Sequence, residues 1–251
     1  MQTLKFIGIG SAFNSKLGNT SAYIKDNDNL LLIDCGEDVF EKILEMNLLD
    51  NVNKVNILIT HFHSDHVGSL SSLIFYCTLI LKKKANVYYP HEDKLQELLL
   101  LQGASQEHYN LILNKEIKEM NVSFDEFPAY HIDIFKDSFG NVYYGEQHET
   151  TDVRMFSCFG YKINYNGKSI YYSGDSYHVA QKDIALLEKG GYDEFYQDTC
   201  GLDYSGNVHL SFKLLCELIK PEFRSNVFCM HIDEALNAEE VKKLGFNIVN
   251  H

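Results

Sequence analysis

The sequence predicts an α/β protein of one domain, residues 1–251; two sheets packed face to face between outer helix layers would bury its strands, an arrangement the local pattern by itself leaves open. Three observations predict it. The chain has 251 residues, 45% hydrophobic and 23% charged, which suits one sizeable core and argues against disorder. Short apolar strands followed by helical stretches occur in each half, so the strand-then-helix pattern runs through the chain twice. No linker, low-complexity segment or short repeat divides it.

The elements follow in order. Residues 4–10 (LKFIGIG), 22–26 (AYIKD) and 30–34 (LLLID) are short strands separated by turn residues. Residues 37–47 form an amphipathic helix, and 55–60 (VNILIT) a buried strand. The apolar run 67–83 is too long for a strand and predicts a mostly buried helix. A strand at 86–90, helices around 91–101 and 105–119, and a strand at 122–127 complete the first half. Residues 141–148 (NVYYGEQH) predict a strand, and 159–175 a hairpin around Asn166-Gly167, a strong type I′ turn signal. A short helix at 184–190, a strand at 193–198, a helix at 210–220 stopped by Pro221, and a strand at 226–231 follow. A short helix and strand close the chain.

The bulk properties exclude several partners. No uninterrupted apolar stretch is long enough to span a bilayer, and the N-terminus lacks the basic start and apolar run of a signal peptide, so a cytosolic location is expected. The net charge is −13. Such a chain repels the phosphates of a long nucleic acid unless a basic patch compensates, and the single lysine run, Lys82-Lys83-Lys84, fits a solvated helix end. A small nucleotide is not disfavoured. The six cysteines form no CxxC pair and are expected to be structural.

The chemistry-bearing signal is THFHSDHVGS, residues 60–69. His61, His63, Asp65 and His66 make an HxHxDH motif directly after an apolar strand. In extended chain, residues two apart point the same way, so His61 and His63 can share one metal. A turn then brings Asp65 and His66 round to a second. Imidazole suits zinc, and an added carboxylate suits a borderline divalent ion. Both ions would still lack ligands. His148, Asp175 and His231 each follow an apolar strand, where loops gather into sites, and a carboxylate such as Asp175 can bridge two cations.

HFHSDH, the distant His148, YSGDS and CMHID together resemble the metallo-β-lactamase superfamily, and their order and spacing resemble its ribonuclease Z-like branch. FIGIGSAFNSKLGNTSAYI, LLIDCGED and FGYKI are similar to further segments of that branch, so the resemblance covers nearly the whole chain. It implies the four-layer αββα sandwich. It also implies that His61, His63 and His148 hold one divalent ion, that Asp65, His66 and His231 hold the other, and that Asp175 bridges. His131, after VSFDEFPAY, is a rival to His148. The ions would be zinc, with manganese as the alternative. NVHLSF, with His209 at a helix start, resembles the branch's short His motif beside the metals, and Asp198 in YQDTC the acidic residue that orients it. Asp34 resembles a residue of that branch near the site; the plainer reading is that it only anchors a turn through hydrogen bonds.

The implied reaction is phosphodiester hydrolysis. Asp65 both ligates and accepts a proton from water, and a protonated His209 held by Asp198 donates to the leaving alkoxide. Size, acidic balance and ligand set are similar to the compact cyclic-nucleotide phosphodiesterases of the anti-Pycsar type, which degrade cyclic mononucleotide immune signals. Transfer-RNA 3′ processing, the ribonuclease Z activity, is the alternative. It uses a Gly- and Pro-rich basic arm, and this chain has three prolines in all and no room for an arm between His148 and Asp175. The branch commonly forms homodimers, and a dimer is expected on that ground.

Overall fold

A computed structural model describes residues 2–132, 134–144 and 153–250. The first sheet runs in chain order: β1 (Lys5–Gly8), β2 (Ser21–Asp26), β3 (Asn29–Ile33), β4 (Lys54–Leu58), β5 (Ala85–Tyr88) and β6 (Tyr109–Leu111). Its first two pairings are antiparallel and its last three parallel. The second sheet opens with β7 (Glu116–Ile117) and β8 (Val122–Pro128). The chain then leaves it for a small antiparallel sheet made of β9 (Ile134–Lys136), β10 (Val142–Tyr144) and β11 (Val153–Phe156), in the order β10-β9-β11. It returns as β12 (Phe159–Tyr165), β13 (Lys168–Tyr172), β14 (Glu194–Asp198), β15 (Val227–Met230) and β16 (Asn247–Ile248). The second sheet's order is β16-β15-β14-β13-β12-β8-β7, with β13 to β16 parallel to one another.

The period-two alternation of these strands builds the layers. In β3, Leu30 and Leu32 face one way, into a core shared with helices α1 (Val39–Glu45), α2 (Ser64–Val67), α3 (Leu70–Phe75) and α4 (Glu92–Leu101). Leu31 and Ile33 face the other way, into an inter-sheet core with Phe124, Tyr161, Tyr172 and Tyr196. In the second sheet, Tyr171, Phe195 and Val227 point outward to a third core. There they meet Ile184, Leu215 and Val241 from α5 (Gln181–Glu188), α6 (Phe212–Leu218) and α7 (Ala238–Lys243). Every strand of the doubly covered centre is apolar on both faces for this reason. The arrangement is the expected αββα sandwich.

Two elements differ from the sequence reading. The helix expected over 105–119 is replaced by β6, β7 and a turn of 3-10 helix. Asn110 and Asn114 are weak helix formers, and the segment satisfies its backbone on the open edge of β5 instead. Asn110 donates to Asn86 at 3.0 Å and Asn86 to Asn56 at 2.9 Å, an amide ladder across β4, β5 and β6. The long helix expected over 67–83 breaks at Ser69 and ends in a π-helical turn, Tyr76–Ile80, before Lys82 turns left-handed at φ 58°. Of the strand expected over 141–148, Val142–Tyr144 is present, and 145–148 lie outside the described residues. Among the described residues no helix is long and apolar enough to cross a membrane.

The parallel strands β3, β4, β13, β14 and β15 all finish at one end of the sandwich. The two sheets are tied there: the Phe159 N–H donates to the Thr60 carbonyl at 3.0 Å, and the Tyr161 hydroxyl to the Ile59 carbonyl at 2.5 Å.

Candidate metal centre

The HxHxDH segment is held by the residues that follow β3. The Cys35 N–H donates to the His66 carbonyl at 2.7 Å, and the Ser69 N–H to the Cys35 carbonyl at 3.1 Å. Gly36 lies so close that a Cβ there would stand 2.1 Å from the Asp65 carbonyl oxygen. Asp34, fully buried and left-handed at φ 65°, turns its carboxylate back into this loop. It accepts from the Thr60 N–H at 2.8 Å, from the Thr60 hydroxyl at 2.7 Å and from His66 Nδ1 at 2.8 Å.

These bonds set tautomers. His66 donates Nδ1–H to Asp34, so Nε2 is the nitrogen that a cation would take in place of its proton. The Thr60 hydroxyl is committed to Asp34 as donor, so it accepts from His61 Nδ1 at 3.0 Å and frees His61 Nε2. His131 gives Nδ1–H to the Val208 carbonyl at 3.2 Å and frees its own Nε2.

The freed nitrogens converge in two groups. His61 Nε2 lies 3.0 Å from His63 Nδ1, and His131 Nε2 lies 3.2 Å from the same atom. The second group is Asp65, His66, Asp175 and His231, all buried. His66 Nε2 is 3.3 Å from both Asp65 and Asp175, and His231 Nε2 is 3.3 Å from Asp65 and 3.4 Å from Asp175. Asp175 Oδ2 also stands 3.9 Å from His61 Nε2 and 3.9 Å from His131 Nε2, so this carboxylate faces both groups. Gly174, at φ 58°, delivers it: a Cβ there would meet the Phe159 carbonyl at 2.4 Å.

These spacings fit cations. A tetrahedral zinc with ligand bonds near ~2.1 Å has ligand–ligand edges of ~3.4 Å. The charges fit as well. In the first group burial, with repulsion from neighbouring imidazoles, lowers the pKa of His61 far below its ordinary value and that of His63 to about 4. Burial likewise lowers that of His131. Neutral imidazoles result, which is the ligating form. In the second group burial also opposes the charged imidazoles, but the carboxylates overcome it. His66 is raised well above its ordinary value by Asp175, Asp65 and Asp34, and His231 to about 10, chiefly by Asp175 and Asp198. A buried pocket with two carboxylates demands positive charge, and His66 Nε2 has no hydrogen-bond partner there.

A third pair adjoins both groups. His209 Nδ1 lies 2.7 Å from Asp198 Oδ2, which also accepts the Ser176 N–H at 2.9 Å. The other oxygen, Oδ1, approaches His231 Nδ1 at 3.4 Å without closing a hydrogen bond. The His209 ring stands 4.9 Å from that of His231 and 5.1 Å from that of His131. Burial depresses the His209 pKa, but the Asp198 charge and hydrogen bond outweigh it and raise the pKa overall.

Of the residues singled out in the sequence, the structure brings together His61, His63, Asp65, His66, Asp175, His231, Asp198 and His209. His148 lies outside the described residues, and the third imidazole beside His61 and His63 is its rival, His131. The sequence reading missed Thr60. Its only signal was a hydroxyl residue between an apolar strand and the first histidine.

The family model "Anti-Pycsar protein Apyc1" matches residues 2–251. An anti-Pycsar protein Apyc1 from Bacillus phage 010DV004 is 28% identical over 256 residues, covering 91% of this chain and 88% of that protein. Among solved structures, the metallo-β-lactamase fold protein YhfI from Bacillus subtilis aligns with a TM-score of 0.69 at 15% identity, over 98% of this chain and 94% of its own. Human tRNase Z, short form, aligns with a TM-score of 0.56 at 16% identity, over 92% and 93%.

Proposed function

The chain belongs to the anti-Pycsar protein Apyc1 family and is a metal-dependent phosphodiesterase of the metallo-β-lactamase fold; we propose that it hydrolyses 3′,5′-cyclic mononucleotides. Cyclic CMP and cyclic UMP are the first substrates to test, and removal of such immune signals in an infected host's cytosol would be the biological use. One observation carries the reading: His209, backed by Asp198 at 2.7 Å, sits against the two ligand groups. A ribose alkoxide is a poor leaving group, and a charged imidazole at that place gives it a proton.

We assign His61, His63 and His131 to one divalent ion and Asp65, His66 and His231 to the other, with Asp175 between them. His131 takes the place the sequence gave to His148. Zinc suits this imidazole-rich set, and manganese is the alternative. Two such ions supply Lewis acidity, making a water acidic and drawing charge from the phosphate oxygens.

The protein's own groups do the rest. Asp34 and Thr60 hold His66 and His61 in the ligating tautomers, which keeps two donor nitrogens aimed inward. Asp65 is kept ionised by the charge and hydrogen bonds of His66 and His231 despite burial, so its carboxylate is open to accept the water proton once bound ions have made that water acidic. Asp198 fixes the His209 proton on Nδ1 and leaves Nε2–H of the charged ring to serve the leaving oxygen. A homodimer is the expected assembly, testable by light scattering.

The experiment is direct. Purified protein loaded with zinc or manganese is incubated with cyclic CMP, cyclic UMP, cyclic AMP and a precursor transfer RNA. Linear 5′-monophosphate from a cyclic substrate supports the reading. Cleavage of the RNA with no cyclic-nucleotide turnover overturns it.

A further inference from the structure

Beside the two ligand groups lies a cluster of rings that the reaction chemistry does not use. Tyr130 immediately precedes His131, and Tyr177 and His178 follow Asp175. The two segments are stitched together: the Tyr177 N–H donates to the Tyr130 carbonyl at 2.9 Å, and the Tyr130 N–H to the Ser176 hydroxyl at 3.1 Å. Ser176 in turn donates to the His178 carbonyl at 2.8 Å, and its N–H is held by Asp198. The ring cluster therefore shares its backbone frame with a ligand from each group and with the His209 pair.

The rings on it are not packed away. Tyr130 is 48% exposed and Tyr177 41%, although each backbone is pinned. They meet edge to face: Tyr130 lies 4.8 Å from His178 at 77° and 6.2 Å from Tyr177 at 63°. An edge-to-face pair covers one face of one ring only, and the exposed remainder of these rings offers a surface on which a flat molecule can stack. A nucleobase has such a face whatever its identity, and the hydroxyls and the imidazole add polar groups for its edge.

We propose that Tyr130, Tyr177 and His178 form the wall that takes the nucleobase of the substrate while the metal centre takes its phosphate. This rests on the reading of the site as a nucleotide phosphodiesterase. The wall explains how a compact site can hold a small nucleotide, since the base supplies contact that one phosphate and one ribose lack.

The test separates base from phosphate. Zinc-loaded protein is titrated calorimetrically with 5′-CMP, 5′-AMP and ribose 5-phosphate, for the wild type, Tyr130→Ala/Tyr177→Ala, His178→Ala and Tyr130→Phe/Tyr177→Phe. One stacked base is worth ~5- to 150-fold in affinity, so the wild type should prefer the nucleotides over ribose 5-phosphate by that range. The double Ala variant should lose most of that preference, with metal content and ribose 5-phosphate affinity unchanged, and the double Phe variant should keep it. His178→Ala, a change at an exposed position, should lose part of it and guards against misfolding of the double variant. A wild type without the preference, or a double Ala variant that keeps it whole, overturns the proposal. Loss of preference in a protein that cuts no cyclic nucleotide would uphold the wall and sink the substrate; turnover with the preference intact in the variant would do the reverse.

Discussion

Asp34→Asn should weaken metal binding, most directly at the second group, because Asp34 holds the Nδ1 proton of His66 and, through the Thr60 hydroxyl, that of His61. The carboxylate accepts three bonds, from Thr60 N–H at 2.8 Å, Thr60 Oγ1 at 2.7 Å and His66 Nδ1 at 2.8 Å. Asparagine tolerates the left-handed φ of 65° and can still accept the Thr60 N–H, so the backbone survives. Its amide nitrogen must then face both Thr60 Oγ1 and His66 Nδ1. Two donors cannot share the second contact. His66 must either break it or move its proton to Nε2, the atom 3.3 Å from Asp65 and Asp175. Either response costs metal binding. Loss of such a supporting hydrogen bond lowers metal affinity by roughly 10- to 100-fold, about 1.4–2.7 kcal/mol. Competition against a chromophoric chelator reads the loss directly, and at least one of the two ions should be held more weakly than in the wild type. If Asp34→Asn holds both ions as tightly as the wild type, the tautomer argument is wrong.

Further outcomes follow from the same geometry. His209→Ala should cut turnover by ~10²- to 10⁴-fold while metal content, read by emission spectroscopy, stays at the wild-type level. Gly36→Ala puts a Cβ 2.1 Å from the Asp65 carbonyl, so the HxHxDH turn must shift; metal content should fall and thermal stability drop by about 1–3 kcal/mol. Chelation should abolish turnover and lower the melting temperature, with zinc or manganese restoring both; each ion at 100 times its Kd adds about 2.7 kcal/mol. Glu194 gives a pH prediction away from the metals. Burial raises its pKa, but hydrogen bonds from Tyr196, Thr3 and Lys168 lower it overall. A depressed folded pKa means stability that is complete above the unfolded value of about 4.3 and lost as pH falls through the folded one. Glu194→Gln should therefore flatten the acid limb of stability below about pH 4.3 in urea melts of chelated protein, and an unchanged limb would refute the assignment.

What the sequence made legible depended on distance along the chain. His61, His63, Asp65 and His66 share one turn, so local geometry alone could sort them. Asp175 and His231 were legible because each ends an apolar strand, and parallel strands deliver their ends to one place. The third imidazole of the first group was not legible in this way. Between β8 and β12 the chain detours through β9, β10 and β11, and only the fold decides which point of that detour stands beside His61. The hydrogen bond from His131 to the Val208 carbonyl joins residues 77 positions apart, a pairing without local signature. The failed helix at 105–119 has the same cause: the open edge of β5 and the Asn56–Asn86–Asn110 ladder outweighed a weak local preference.

That contrast explains why Asp34 and Thr60 were under-read. Neither belongs to the two ligand groups, and each is an ordinary polar residue at a strand end when seen alone. Their work is to choose a tautomer, and a tautomer is defined only once both partners of a hydrogen bond are in place. A motif of metal ligands thus announces the ions but leaves silent the residues that make its nitrogens available. For this chain those residues lie next to the motif in space, one strand away just after β3, and one position before it in sequence, shortly after β4. In a related sequence the place to look for them is the residue that follows the neighbouring parallel strand and the hydroxyl just ahead of the first histidine. A chain that kept HxHxDH but carried a hydrophobic residue at both places would bury His66 with no acceptor for Nδ1, and its second site should hold metal poorly however complete its ligands look.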